Sequence, residues 1–112
     1  MMCAMTGEIK VISLEELKAR LDSGDSFRLV NALPDWEFEA GHIPGSEHYA
    51  NLENALGSLR PDDEIVVYCT DPPCRASKRL YWDLVERGYA NVRRFEGGLV
   101  AWAGAGYPLE GG

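Results

Sequence analysis

The residues best suited to chemistry in this sequence lie in one short segment, 69–77. It begins with Cys69 and continues as Thr70-Asp71-Pro72-Pro73-Cys74-Arg75-Ala76-Ser77. A cysteine reacts as its thiolate, and a helix N-terminus with nearby cations favours that ionised form. Arg75 and Lys78 supply such cations in a chain whose formal net charge is −7. The segment therefore predicts a nucleophilic cysteine in an anion-binding loop, and the alternative is an inert cysteine buried at a strand end.

Strand and helix patterns alternate along the chain on both sides of this segment. The clearest strand is predicted at 64–69, where a nearly continuous apolar run is typical of a strand buried on both faces of a parallel sheet. The remaining strands are predicted at 9–11, 27–31, 47–50 and 92–95. Helices are predicted at 77–87, at 34–38, at 52–59, at 99–105 and between a Ser13–Glu16 capping box and Gly24. This alternation predicts an α/β fold with a mostly parallel sheet.

Length and composition favour one globular domain. The chain has 112 residues, 46% of them hydrophobic, so we expect a tail at 1–7 and a single domain at 8–112. Its acidic balance repels phosphate backbones and anionic lipids, so neither nucleic acid nor a membrane is an expected partner. Three cysteines do not suggest an extracellular disulfide framework, and the first residues do not resemble a signal peptide. We therefore expect a cytoplasmic protein.

A metal centre is not expected either. Cys69 and Cys74 have only His42 and His48, both in another segment, to complete a tetrahedral ligand set. His42 follows Gly41 in a tight loop and is a candidate acid–base group. We expect the protein to need no metal and no cofactor.

Several motifs, in order from about Ile9 to Pro108, together resemble the rhodanese domain family. Segment 39–46, Glu-Ala-Gly-His-Ile-Pro-Gly-Ser, is similar to the family's Gly-His-Ile-Pro-Gly-Ala signature. The other matching segments are 66–69, 88–89, 91–92, 96–98, 101–102 and 105–108. The resemblance implies a three-layer α/β/α fold built on a five-stranded parallel sheet. It also implies that His42 fastens its loop by hydrogen bonds rather than transferring protons.

The resemblance also implies sulfane-sulfur transfer. In that reaction a cysteine takes sulfur from thiosulfate or a persulfide, becomes Cys-S-S⁻, and passes the sulfur to a thiol or cyanide. Cys69 matches the position of that cysteine. The implied partners are a small-molecule sulfur donor and a thiol or cyanide acceptor, with a protein thiol as a further acceptor. The implied substrate-binding loop comprises Thr70, Asp71, Cys74, Arg75, Ala76 and Ser77.

The loop departs from the family pattern, which resembles Cys-x-x-Gly-x-Arg-Ser. Arg75 follows Cys69 by six residues, and no glycine lies between them. Counting back from Gly88 puts Ser77 at the motif's serine and Ala76 at its arginine. The role of Arg75 therefore stays open.

The interior of the loop has three further unusual features. Pro72 and Pro73 have no N–H to offer an anion, and Asp71 adds a negative charge where an anion is expected. Cys74 has two interpretations: a hydrophobic anchor of the loop, or a resolving cysteine that forms a disulfide with Cys69 after oxidation or sulfur loading. A curved loop of this length can bring the two Cα atoms within the ~4.4–6.8 Å that a disulfide needs.

A few other positions complete the predictions. Asn31, in Asn31-Ala32-Leu33, stands where the family has the acid of an Asp-Val-Arg pattern, so a strand-end charge is missing. Three tryptophans are expected to pack in the core: Trp36, Trp82 and Trp102. His48 and Tyr49 indicate nothing beyond a sheet edge.

Three functions stay open. The first is a sulfurtransferase with Cys69 as the sulfur carrier. The second is a phosphatase or arsenate reductase, because Cys69 and Arg75 match a Cys-x5-Arg spacing, although Tyr68 stands where those enzymes typically have histidine. The third is a catalytically silent module that binds a protein partner, which the departures from the loop motif favour.

Overall fold

The computed structural model describes residues 9–33, 35–49, 52–70 and 75–110. Within these residues a single sheet contains five strands: β1 (Val11–Ile12), β2 (Arg28–Asn31), β3 (Glu47–His48), β4 (Ile65–Tyr68) and β5 (Val92–Phe95). The helices between and after them are α1 (Leu14–Ser23), α2 (Asp35–Ala40), α3 (Leu52–Ser58), α4 (Arg75–Glu86) and α5 (Gly98–Gly104). Strand order is β1-β5-β4-β2-β3 and every pairing is parallel, which confirms the predicted α/β class.

β4 lies in the middle of the sheet with both faces covered. One face carries a cluster shared with α3 and α4, including Ala55, Ile65, Val67, Tyr81 and Leu84. The opposite face carries a cluster shared with α1 and α5, including Leu17, Val66, Tyr68, Phe95 and Trp102. Helices therefore cover both faces, as expected for three layers. Because successive strand residues point to opposite faces, Cys69 continues the Ile65–Val67 row toward α4.

Two element boundaries differ from the prediction in ways that bear on function. α4 begins at Arg75 and not at Ser77, so Arg75 and Ala76 belong to its first turn; both are good helix formers. β1 begins at Val11 and not at Ile9, because the register with β5 pairs Val11 with Arg94. The predicted Ser13 cap is confirmed, since its Oγ accepts a hydrogen bond from the Glu16 N–H at 3.1 Å.

The expectation that Trp36 packs in the core was wrong. Its side chain is 71% exposed on α2. Phe38 faces inward instead and stacks on the His42 imidazole, with ring centroids 3.9 Å apart. Since residues two apart on a helix differ in direction by about 200°, burial of Phe38 turns Trp36 toward solvent. Trp102 is buried as expected, and Trp82 packs edge-on against Tyr81.

Two arginine–glutamate pairs fasten the amino ends of the strands, opposite the edge that carries Cys69. Arg28 holds the Glu47 carboxylate with two hydrogen bonds of 2.5 and 2.6 Å. Arg20 likewise forms a bidentate pair with the carboxylate of Glu64, which directly precedes β4. Hydrogen bonds from these guanidinium groups lower the pKa of both glutamates below 4.5.

Stability should therefore fall in acid. Both carboxyls have a lower pKa in the folded chain than in the unfolded chain, so the unfolded chain binds more protons near and below pH 4.5. Their contribution is complete above that value and is lost as the pH falls through the folded pKa values. Urea titrations between neutral pH and pH ~3 should show a flatter acid slope in the Glu47→Gln/Glu64→Gln variant. An acid slope equal to that of the parent protein would contradict this account.

Candidate active site

Cys69 directly follows the last residue of β4, at the carboxyl edge of the sheet. Its side chain is only 1% exposed. In parallel α/β sheets this edge is where ligands bind, because the strand ends and the N-termini of the following helices meet there. The helix that follows β4 is α4, and its first turn packs against Cys69.

A chain of contacts leads from Cys69 into the protein interior. Its Sγ lies 3.3 Å from the Oγ of Ser77, which is completely buried in the first turn of α4. The same Oγ accepts a hydrogen bond of 2.8 Å from Nε of Arg94 in β5. Arg94 is 2% exposed, and Oε1 of Glu96 lies 3.7 Å from its Nη1. The structure thus brings a buried cation and a buried hydroxyl to the Cys69 sulfur.

Cys69 is disulfide-bonded in this structure, and its partner sulfur lies outside the described residues. A disulfide sulfur carries no hydrogen, so Ser77 supplies the proton of the contact with Sγ. Predicted loop residues Asp71 and Cys74 also lie outside the described residues, together with both loop prolines. What was predicted for them stays a prediction.

The other predicted loop residues occupy distinct places around Cys69. Thr70 is half-buried and follows Cys69 directly. Ala76 is half-buried in the first turn of α4, whereas Arg75 begins that helix with an exposed side chain. Among the described residues, Ser77 is the predicted loop residue whose side chain contacts Sγ.

α5 holds the backbone of the site from the other side. The Leu99 N–H donates to the Cys69 carbonyl at 3.0 Å, and the Val100 N–H donates to the Thr70 carbonyl at 2.9 Å. Gly98 makes this approach possible, because its φ is +64° and a Cβ there would lie 2.5 Å from the Cys69 carbonyl oxygen. A side chain at this position would push the site backbone away from α5.

On the opposite face, the Tyr68 hydroxyl joins the end of β2 to the loop that contains Ile43 and Ser46. It accepts hydrogen bonds from Asn31 Nδ2 at 3.1 Å and from the Ile43 N–H at 3.0 Å, and donates to Ser46 Oγ at 2.8 Å. Asn31 Oδ1 accepts from the Leu33 N–H at 2.7 Å. Burial raises the pKa of Tyr68. An amide can donate and accept at once, so Asn31 suits this buried position where an ionised aspartate could only accept.

Both histidines are engaged with backbone carbonyls. His42 Nδ1 lies 2.8 Å from the Phe38 carbonyl, and His48 Nε2 lies 2.6 Å from the Leu33 carbonyl. Carbonyl oxygens only accept, so these ring nitrogens carry protons. This agrees with the structural role expected of His42. No group of three or more His, Cys, Asp or Glu side chains suited to a metal occurs within the described residues. Nor does any helix described here have the length and apolarity to cross a bilayer.

Arg94 was not predicted from the sequence. In Val92-Arg93-Arg94-Phe95 the two arginines are adjacent, so strand alternation sends one to each face of the sheet. The pattern alone does not tell which of them faces α4. The face on which Arg94 lies can be assigned only when the strand order and register are known, because these pair Arg94 with Val67.

Replacing Gly98 should disrupt both stability and the site. Gly98→Ala is expected to lower the free energy of unfolding by about 2 kcal/mol or more, since left-handed backbone costs a non-glycine residue ~1–2 kcal/mol and crowding adds ~1–3 kcal/mol. Gly104→Ala, at the other end of α5, is the matched control. A Cβ there meets no heavy atom of the described residues within 4 Å, so its effect should stay within about 1 kcal/mol. Equal effects of the two substitutions in urea unfolding would contradict the close approach at Gly98.

Comparisons with known proteins place the chain in a family. The model of the Rhodanese-like domain matches residues 13–105. The putative sulfurtransferase YtwF of Bacillus subtilis is 30% identical over 103 residues, which cover 90% of this chain and 97% of that protein. The HTH-type transcriptional regulator Rv0324 of Mycobacterium tuberculosis is 33% identical over 90% of this chain and 45% of its own length. The putative sulfur carrier protein YrkF of Bacillus subtilis is 30% identical over 86% and 52%. The chain thus spans about half the length of these last two relatives.

Solved structures agree with this assignment. The solution structure of the rhodanese-like domain of the Anabaena sp. Alr3790 protein superposes with a TM-score of 0.81 at 26% identity, covering 93% of this chain and 80% of that one. The BH2092 protein of Bacillus halodurans superposes with a TM-score of 0.83, and at 19% identity it supports the fold alone. With its parallel sheet, its matching family model and these relatives, the chain belongs to the rhodanese-like domain family.

Proposed function

We propose that this protein is a sulfurtransferase that carries sulfane sulfur on Cys69. The observation that supports this most is the environment of Cys69: a buried sulfur at the carboxyl edge of the central strand, 3.3 Å from a buried hydroxyl. Relatives over nearly the whole chain have the names putative sulfurtransferase and sulfurtransferase. The site and the family therefore point to the same chemistry.

The proposed reaction has two displacement steps. The reduced Cys69 thiolate attacks the outer sulfur of thiosulfate, the S–S bond of the donor breaks, and sulfite leaves with the bonding electron pair. The product is the persulfide Cys69-S-S⁻. A thiolate or cyanide then attacks the outer sulfur, and Cys69 leaves as the thiolate. Charge and electrons balance in each step, so the reaction requires no cofactor.

Two features suit this reaction to a negatively charged sulfur. Ser77 Oγ lies 3.3 Å from Sγ and would donate to the ionised sulfur, and a hydrogen bond to an ionised acceptor is stronger than one to a neutral acceptor. α4, which is 12 residues long, begins beside Cys69, and the first N–H groups of a helix favour an anion near its N-terminus. These groups would stabilise the thiolate before transfer and the persulfide after it.

We also propose that Cys74 is a resolving cysteine. Two facts support this: Cys69 is disulfide-bonded, and Cys74 follows it by only five residues in the sequence, whereas Cys3 precedes it by 66. In the proposed step the Cys74 thiol attacks Sγ of the Cys69 persulfide, its proton passes to the outer sulfur, and that sulfur leaves as hydrosulfide with the bonding electron pair. A Cys69–Cys74 disulfide remains, which an external dithiol reduces.

Sulfur loading tests the main proposal. Reduced, desalted Cys74→Ser protein, in which Cys74 cannot displace the added sulfur, should gain the mass of one sulfur atom from thiosulfate, and Cys69→Ser/Cys74→Ser should gain none. Cys3→Ser/Cys74→Ser is the matched control and should load like Cys74→Ser. Glutathione persulfide serves as a second donor. If neither donor loads Cys69 in folded protein, sulfur transfer is contradicted and a silent binding module becomes the better interpretation.

Thiol counting tests the proposed role of Cys74. Mild peroxide treatment of the reduced protein should remove two of its three free thiols, because Cys69 and Cys74 join. Cys74→Ser should lose one thiol only, by oxidation of Cys69 to the sulfenic acid. Cys3→Ser should still lose a pair. Loss of a pair in Cys74→Ser would instead identify Cys3 as the partner, and loss of no pair in the parent would contradict the proposal.

A further inference from the structure

We propose that Arg94 is a positioning residue for Cys69: acting through Ser77, it directs a hydroxyl proton at the cysteine sulfur and stabilises the anionic thiolate and persulfide. The inference deepens the proposed sulfurtransferase function and rests on it for its purpose. Its test measures ionisation of a thiol, however, and needs no turnover.

The sheet register places Arg94 for this role. Val67 of β4 pairs with Arg94 of β5, so the two side chains point to the same face of the sheet. Cys69 lies two residues beyond Val67 and faces the same way. Ser77 reaches the space between them from α4. Ser77 Oγ lies 2.8 Å from Arg94 Nε and 3.3 Å from Cys69 Sγ, so Nε and Sγ are at most about 6 Å apart. At this separation a positive charge stabilises an ionised sulfur.

The hydrogen-bonding capacity of the groups determines the direction of the relay. A guanidinium has donors and no acceptor, so Ser77 Oγ accepts from Arg94. The single hydroxyl proton of Ser77 is then directed away from Arg94, and the Cys69 sulfur, 3.3 Å away, accepts it when Cys69 is ionised and has no proton of its own. Ser77 Oγ has a second lone pair and can still accept from a neutral thiol, but a thiolate can be contacted only by a hydroxyl that donates. By donating to Ser77, the Arg94 guanidinium polarises this hydroxyl and so favours the ionised sulfur to which Ser77 donates.

Arg94 also supplies a buried cation where the arginine of the family's loop motif is absent. Ala76 stands where the family resemblance puts the loop arginine, and Arg75 has an exposed side chain. The buried guanidinium of Arg94 brings positive charge to Ser77 from the neighbouring strand. A buried charge is costly unless it is hydrogen-bonded, and the Ser77 contact supplies one such bond on the side that faces Cys69.

Other charged groups near this face must be included in any pH comparison. Oε1 of Glu96, 57% exposed, lies 3.7 Å from Nη1 of Arg94 and opposes its field at the sulfur. Arg75 and Lys78 contribute cations from the first turn of α4. Asp71 lies outside the described residues. Each of these groups is unchanged among the variants compared below, so differences in Cys69 ionisation report on Arg94 and Ser77.

The experiment uses a Cys3→Ser/Cys74→Ser background, in which Cys69 is the only thiol. The reduced protein is alkylated with iodoacetamide across a pH series, and thiolate formation is followed by ultraviolet absorbance. Arg94→Met should raise the apparent pKa of Cys69 by about one unit or more, which slows alkylation near neutral pH by about tenfold. Ser77→Ala should raise it in the same direction. Arg94→Lys, which keeps the charge, should recover part of the shift.

The matched control is Arg93→Met, one position earlier in β5. Arg93 pairs with Glu16 of α1 at 2.7 Å, on the opposite face of the sheet, so its loss should leave Cys69 ionisation as in the parent. If Arg94→Met and Ser77→Ala lower the melting temperature but leave the apparent pKa unchanged, Arg94 is only structural and the inference fails. Should Arg94→Met not fold, Ser77→Ala and Arg94→Lys decide the question alone. A protein that shows these shifts but loads no sulfur would refute the proposed function and leave the relay intact.

Discussion

The parallel pairing of β4 with β5 is the constraint on which the site depends. Its register aligns Val67 with Arg94, which sends Arg94 and Cys69 to the face covered by α4. The same pairing carries the chain beyond β5 to the point where Gly98 meets the Cys69 carbonyl. A shift by one residue would send Arg93 toward α4 in place of Arg94 and reverse the whole arrangement.

Two helices then determine where the Cys69 sulfur lies. α5 fixes the backbone through two N–H to carbonyl hydrogen bonds, at Cys69 and at Thr70. α4 fixes the side chain through Ser77, whose burial leaves the hydroxyl little freedom apart from its contacts. Because α5 holds the backbone of Cys69 and α4 contacts its side chain, a substitution in one helix tests that contact and leaves the contact with the other helix in place.

Most of the fold was predictable from the sequence, because apolar periodicity and glycine stops report directly on strands and helices. Cys69 at the end of the central strand followed from the same pattern. The position of Arg94 beside Ser77 could not be predicted in this way, since it depends on the strand register, which no local pattern encodes. Trp36 was wrongly assigned to the core because α2 is a short helix of six residues, in which only one of two nearby aromatic residues faces inward.

Charge at the site and charge on the whole molecule act over different distances. The net charge of −7 creates a field that opposes anions, but salt screens exposed charges beyond about 10 Å. Arg94 is buried, so solvent screens it less, and it lies within about 6 Å of the sulfur. An acidic protein can therefore stabilise a negative sulfur at one internal point. The cation need not come from the loop that follows the cysteine, because the neighbouring strand β5 can supply it.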